Sequence, residues 1–197
     1  MTTLTLPFFI FFLPLAVSAA ATSTSTNNFI QSKYSYTTYP SVCVKSLSSY
    51  ANKIHKSPRQ LAQTSLLVSL SKARYAKAYV AHLAHSDQLR RKDFGPLKDC
   101  LEVIGDSVDR LSKSVHEFQI AAQADSTDFL WHMSNVQTWT SAALTDENTC
   151  VDGFEGSGRN RRVQNAIKTQ FVGVMQCTSN ALALVNQFVS EYSPKNT

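Results

Sequence analysis

Three sets of residues in this 197-residue chain have the types and spacing from which active sites are built. His82 and His85 stand i,i+3 with Asp87 following, a set that ligates a metal when one helix face presents it. Glu102, Asp106 and Asp109 fall at i, i+4 and i+7, where carboxylates on one helical face exchange protons if they are withdrawn from water. Cys43, Cys100, Cys150 and Cys177 supply thiols. None of these sets sits in a recognised catalytic frame. The chain has no G-x-S-x-G, no H-E-x-x-H, no phosphate-binding loop, no G-x-G-x-x-G and no C-x-x-C, and His55, His116 and His132 stand alone. The bland readings therefore carry more weight: an exposed helix end for the histidines and a solvated face for the acids. No metal and no cofactor is expected, and the chain reads as a non-enzyme.

Two basic clusters, Arg90-Arg91-Lys92 and Arg159 with Arg161-Arg162, complete the inventory of charged groups. Nineteen Lys and Arg against 14 Asp and Glu give a net charge of +5 and a pI near 9.1. That balance favours acidic polymers or surfaces as neighbours but falls short of a nucleic-acid-binding signature. The clusters fit contact with an acidic polysaccharide or an enzyme surface. They also fit cations solvating loops beside helix C-termini.

The elements that must carry these residues are helices. Hydrophobic residues make up 43% of the chain, with only 6 Gly and 6 Pro, so it should fold around one core. The run Leu6 to Val17 is too short and too interrupted, by Pro7 and Pro14, to span a membrane, and Ser18-Ala19-Ala20-Ala21 follows it at once. This reads as a secretory signal peptide over 1–21, and the mature chain is expected outside the cell, without a membrane segment. Four apolar series then repeat at alternating steps of three and four. The first is Ala62, Leu66, Ser69, Ala73, Ala76, Val80 and Leu83, with Ser57 as N-cap and Pro58 at the first helical position. The second is Leu97, Leu101, Ile104, Val108, Leu111, Val115 and Phe118. The third is Phe129, Met133, Val136, Thr140 and Ala143, and the fourth Ile167, Phe171, Val174, Thr178, Ala181, Val185 and Phe188. Each stripe hides one side of its helix, so the economical burial is an all-α, up-down-up-down four-helix bundle over 57–192. The shorter apolar pattern over 28–56, broken at Thr38-Tyr39-Pro40, predicts an N-terminal helical hairpin. The two basic clusters then emerge at one end of the bundle as a basic pole.

Export permits disulfides, and four cysteines allow three full pairings. If the second and third long helices are antiparallel, Cys100 and Cys150 lie at one level, since both are equidistant from the break at Asp125. A bridge there would close a long loop and contribute ~2–4 kcal/mol. Spacing offers no comparable argument for Cys43 and Cys177.

The segments Thr37-Thr38-Tyr39-Pro40-Ser41-Val42-Cys43, Leu97-Lys98-Asp99-Cys100-Leu101-Glu102, Thr138-Trp139-Thr140-Ser141-Ala142-Ala143-Leu144-Thr145 running on to Thr149-Cys150-Val151-Asp152-Gly153-Phe154, and Thr178-Ser179-Asn180-Ala181-Leu182-Ala183-Leu184 together resemble the plant invertase and pectin methylesterase inhibitor family. The resemblance covers nearly all of 28–188. It implies a secreted helical inhibitor with an N-terminal hairpin and a four-helix bundle, and it implies the Cys100–Cys150 bridge. One position departs from the pattern. Where the family usually has a cysteine that bridges the hairpin to the equivalent of Cys43, this chain has Tyr34. Cys43 and Cys177 are then candidate free thiols, Cys43 a candidate reactive one, and the hairpin should be held by packing alone. Invertase inhibitors of the family tend to carry a basic residue ahead of the third long helix, and here the matching stretch is Thr127-Asp128-Phe129. The resemblance thus points to pectin methylesterase as the target, with invertase the alternative. It makes Glu102 and Thr149 the contacting acid and hydroxyl, with Asp106 and Thr145 beside them. The remaining alternative is a secreted wall-associated bundle that meets acidic pectin and inhibits nothing.

Overall fold

The computed structural model describes residues 18–86, 89–121, 123, 126–155 and 160–192. Residues 1–17, which hold most of the expected signal peptide, lie outside the described residues, as do Asp87 and Arg159. Helix α1 (Ser18–Tyr34) leads to α2 (Pro40–Leu47), a 3-10 turn (Ser48–Tyr50) and α3 (Ala51–Ile54). The long helices follow: α4 (Pro58–Ala84), α5 (Phe94–Ala121), α6 (Ser126–Asp152) and α7 (Arg161–Tyr192), with a 3-10 turn (Arg91–Asp93) ahead of α5. The first helix therefore begins ahead of the Asn28 boundary read from the sequence. Helix α4 starts as its local chemistry dictates. Ser57 Oγ accepts the Gln60 N–H at 3.3 Å, and Pro58 occupies the first turn, where no N–H is needed.

Helices α4 and α6 each pack against both α5 and α7, so the four form a square with α4 and α6 at opposite corners. The apolar stripes face its axis. Of the predicted core residues, only Leu83, Leu101 and Phe188 are half-buried, and all others are buried. At the end where α5 turns into α6, Phe129 meets Phe188 edge-on at 5.9 Å, and Phe118 and Tyr192 close the cluster. Those rings are packing, as their helical spacing implied.

Hydrogen-bonding side chains interrupt this core at chosen levels. Asp93 is 1% exposed; its Oδ2 accepts the Arg90 N–H at 3.0 Å and its Oδ1 the Asn160 N–H at 3.3 Å. One carboxylate thus ties the α4–α5 connection to the α6–α7 connection, and brings the basic residues of both to one end. Burial alone would raise its pKa, but these donors outweigh burial and hold it below the usual range. Glu117 on α5 accepts Asn135 Nδ2 at 2.9 Å and pairs with His132 Nδ1 at 2.8 Å. His132, read from the sequence as standing alone, is one half of an α5–α6 contact. Glu147 is fully buried between three helices, with Oε1 accepting Ser107 Oγ from α5 at 3.0 Å and Thr178 Oγ1 from α7 at 2.9 Å.

The hairpin is held by more than packing. Tyr34, fully buried, fills the space beside Cys43. Across the interface Asn180 of α7 clamps the turn into α2 at two points, Oδ1 accepting the Tyr39 N–H at 3.0 Å and Nδ2 donating to the Tyr39 carbonyl at 2.7 Å. Lys33 of α1 and Glu191 of α7 add an ion pair. Specific polar contacts to α7 therefore do part of the work that sequence reading assigned to apolar contact alone.

Two outcomes follow from these buried groups. Burial pushes the Glu147 carboxyl from its usual 4.5 to about 7, helped by the nearby Asp146 charge and opposed by its two hydroxyl donors. Between those values the unfolded chain has lost this proton while the folded chain keeps it, so stability falls as pH rises from about 4.5 to about 7. The fall amounts to about 3 kcal/mol at most. Glu147→Gln should flatten that slope in urea melts taken across the range, and an unchanged slope would remove Glu147 as its source. At the hairpin, Tyr34→Ala should cost ~3–5 kcal/mol and open 28–56 to limited proteolysis. Tyr34→Phe keeps the ring and loses only a hydroxyl whose neighbour is the Cys43 thiol, a weak hydrogen-bonding group, so it should stay near wild type in both readouts.

Candidate functional site

The α5–α6 seam presents a polar surface built around a cystine. Cys100 and Cys150 are joined by a disulfide across it, with Cα atoms 4.4 Å apart and 50 positions between them in sequence. Both are buried, so the cystine is a strut beneath the surface and the groups that flank it are what a partner would meet. On α6, Thr149 lies next to the cystine and Thr145 one turn below; both are exposed. Their hydroxyls donate back along the helix, Thr149 Oγ1 to the Thr145 carbonyl at 2.9 Å and Thr145 Oγ1 to the Ser141 carbonyl at 3.2 Å. Thr138 does the same to Ser134 at 2.9 Å. These bonds fix the hydroxyl rotors and leave each oxygen's lone pairs outward as acceptors.

On α5, Glu102 and Asp106 are exposed one turn apart. Asp106 lies close enough to Asp146 of α6 for its negative charge to help raise that carboxyl's pKa, second to burial, while Arg110 works in the opposite direction. Arg110 Nε reaches Asp146 Oδ2 at 2.8 Å and staples the two helices one level below. Besides the buried Glu147, helix α6 carries Asp128, Asp146 and Asp152 and no Lys or Arg, so this side of the molecule is acidic. A shallow groove continues it toward α7, lined by Thr138, Ser141, Ala142, Thr145, Leu182 and Asn186. Small hydroxyl-bearing side chains and a broad, open shape suit a macromolecular surface better than a small ligand, which a concave apolar pocket would enclose.

The chemical candidates fare differently. His82 and His85 are exposed at the C-terminal end of α4, and Asp87 lies outside the described residues. Asp109 is exposed, as are Glu102 and Asp106, so the three acids form a solvated face. Cys43 and Cys177 are free and buried, and both line one small cavity between α2, α4 and α7. Burial pushes the Cys43 thiol up to about 12 and raises Cys177 as well, so both stay protonated at neutral pH. Cys43 is thus a free thiol, as the missing partner implied, and its burial works against reactivity. Among the described residues no group of three His, Cys, Asp or Glu is placed to hold a metal ion, and no helix is long and apolar enough to cross a membrane.

Sequence reading missed Asp93, the Glu117–His132 pair, Glu147 and the Asn180 clamp. For Glu147 a signal was present. The third stripe, continued past Ala143 by the same steps, reaches 147 and 150, which places a carboxylate on the core face.

Comparison with known proteins gives the family and the fold. The chain is 47% identical over 178 residues to pectinesterase inhibitor 11 of Arabidopsis thaliana, covering 90% of this chain and 88% of that protein. It is 48% identical over 181 residues to pectinesterase inhibitor 9 of the same plant, covering 90% and 89%. The crystal structure of a pectin methylesterase inhibitor from Arabidopsis thaliana superposes with a TM-score of 0.56 at 16% identity, covering 86% of this chain and 97% of that one, and shares the helical bundle fold. The sequence model of the plant invertase/pectin methylesterase inhibitor family matches residues 28–184, and the chain belongs to that family.

Proposed function

We propose that the chain is a secreted proteinaceous inhibitor that binds pectin methylesterase in a one-to-one complex and covers its substrate cleft with the α5–α6 face. The observation that carries this reading is the rigid polar surface around the cystine, in a chain nearly half identical to proteins named as pectinesterase inhibitors. No catalytic step is needed. A preorganised surface that seals a cleft excludes the polymer, and inhibitors of this kind commonly bury ~1,200–2,000 Å². Thr145 and Thr149 supply fixed acceptors, and Glu102 and Asp106 supply negative charge for donors on the enzyme's rim. Export follows from the apolar leader expected over 1–21. Asp128, exposed where the invertase-directed members carry a base, favours pectin methylesterase over invertase. Acidic pectin, the polymer around such a complex, is the further neighbour that a net charge of +5 favours.

Titration of the mature protein into plant pectin methylesterase and, in parallel, into invertase tests the reading. Ester hydrolysis should fall to zero at about one equivalent of inhibitor, with sucrose hydrolysis untouched. Full enzyme activity at micromolar excess would refute it, and loss of invertase activity alone would transfer the function to the alternative target. Glu102→Lys and Thr149→Lys should each raise the inhibition constant about tenfold or more with helicity unchanged. Unaltered constants would move the interface away from these residues.

A further inference from the structure

Charge is distributed unevenly between the two sides of the bundle. The chain has eight Lys and Arg and no Asp or Glu ahead of Asp87, so α1 to α4 are purely basic. Helix α7 adds Arg161, Arg162 and Lys168, and its one acid, Glu191, is paired with Lys33. Because α2 docks on α4 and α7, and α4 lies diagonally across from α6, this basic half faces away from the acidic α5–α6 side.

Within the basic half lies a groove of about 510 Å³, the size range of built ligand sites. Lys45 of α2, Tyr50 of the 3-10 turn, Ser71 and Lys72 of α4, and Gly173 and Gln176 of α7 line it, and among the described residues no carboxylate does. Gly173 forms part of the α7 wall of this groove. A glycine inside a helix costs roughly 1 kcal/mol relative to alanine, usually for the sake of tight packing. Here an added Cβ would meet nothing within 4 Å, so packing does not require the glycine; its missing side chain keeps the floor of the groove clear.

We infer that this groove binds a stretch of de-esterified pectin, a polymer whose repeating sugar carries a carboxylate. This rests on the function proposed above, since each ester such an enzyme hydrolyses leaves one carboxylate on the chain. Two ammonium groups match carboxylates along a strand, the serine hydroxyls and Gln176 amide match sugar hydroxyls, and the Tyr50 ring offers an apolar face to a sugar ring. Phosphate polymers are a poorer match, because the groove has no arginine fork and a single aromatic ring. The acidic α5–α6 face stays free when the groove is filled. The inhibitor can therefore sit on de-esterified wall and bind the enzyme at once, and its local concentration rises where the enzyme has already acted.

Co-sedimentation of the mature protein with de-esterified and with fully methyl-esterified pectin, without enzyme and at low ionic strength, tests this. Binding should appear with the acidic polymer only and weaken with salt. The double variant Lys45→Gln/Lys72→Gln should lower it about tenfold. Gly173→Glu, which places a carboxylate in the groove and suits a helix better than glycine, should abolish it while leaving the inhibition titre unchanged and thermal stability equal to or slightly above wild type. Arg91→Gln/Arg161→Gln at the basic pole should leave at least half of the binding. Equal binding of both pectins, an equal loss in the pole variant, tighter binding of polyphosphate, or a dimer in size-exclusion chromatography that Gly173→Glu dissolves would each overturn the site. If the polymer binds but the enzyme is not inhibited, the proposed function fails and the groove stands; inhibition without polymer binding gives the reverse.

Discussion

The register of α5 against α6 is the constraint on which the rest of the structure depends. Cys100 with Cys150, Ser107 with Glu147, Arg110 with Asp146, and Glu117 with His132 and Asn135 all pair residues nearly symmetric about the turn near position 125. A covalent bond, an ion pair and hydroxyl, imidazole and amide hydrogen bonds therefore specify one alignment at four levels. Apolar stripes alone tolerate a slip of one turn, because they reward contact without direction. Polar pairs do not tolerate it, since a slip would strand Glu147 and Glu117 in the core without their donors.

Much of this architecture was legible in the sequence, and the reason is periodicity. Four stripes at steps of three and four locate four long helices, and Ser57-Pro58 marks where α4 begins. The equal distance of Cys100 and Cys150 from Asp125 anticipates their meeting, because antiparallel helices preserve distance from the turn. What the sequence concealed is side-chain polarity inside that frame. Asp93, Glu117 and Asn180 are single polar residues whose partners lie 67, 15 to 18, and 141 positions away, and no local pattern signals such pairings. Tyr34 shows the same limit in reverse. Its place in the motif reveals a missing bridge, but only the fold reveals that the ring fills the volume and that α7 clamps the turn.

Burial decides the character of both kinds of sulfur and carboxyl here. Cys43 and Cys177 lie where neither ionises readily, because burial raises both thiols. Glu147 lies deeper still, and its neutral form is the stable one at mildly acidic pH. The hydroxyls of Ser107 and Thr178 satisfy one oxygen without bringing a cation into the core.

Rigidity is what the α6 surface requires if it is to act by contact alone. A surface lined with lysines or glutamates would lose rotamer freedom on binding, at ~0.5–1.5 kcal/mol per ordered side chain. Thr138, Thr145 and Thr149 have little freedom to lose, since each is branched at Cβ and already bonded to a carbonyl of the preceding turn. The flexible charges, Glu102 and Asp106, stand on the neighbouring helix, where they act on approach through the field and not through fixed geometry. In the proposed complex steering and fit thus fall to separate helices, and the cystine between them holds the two in one orientation.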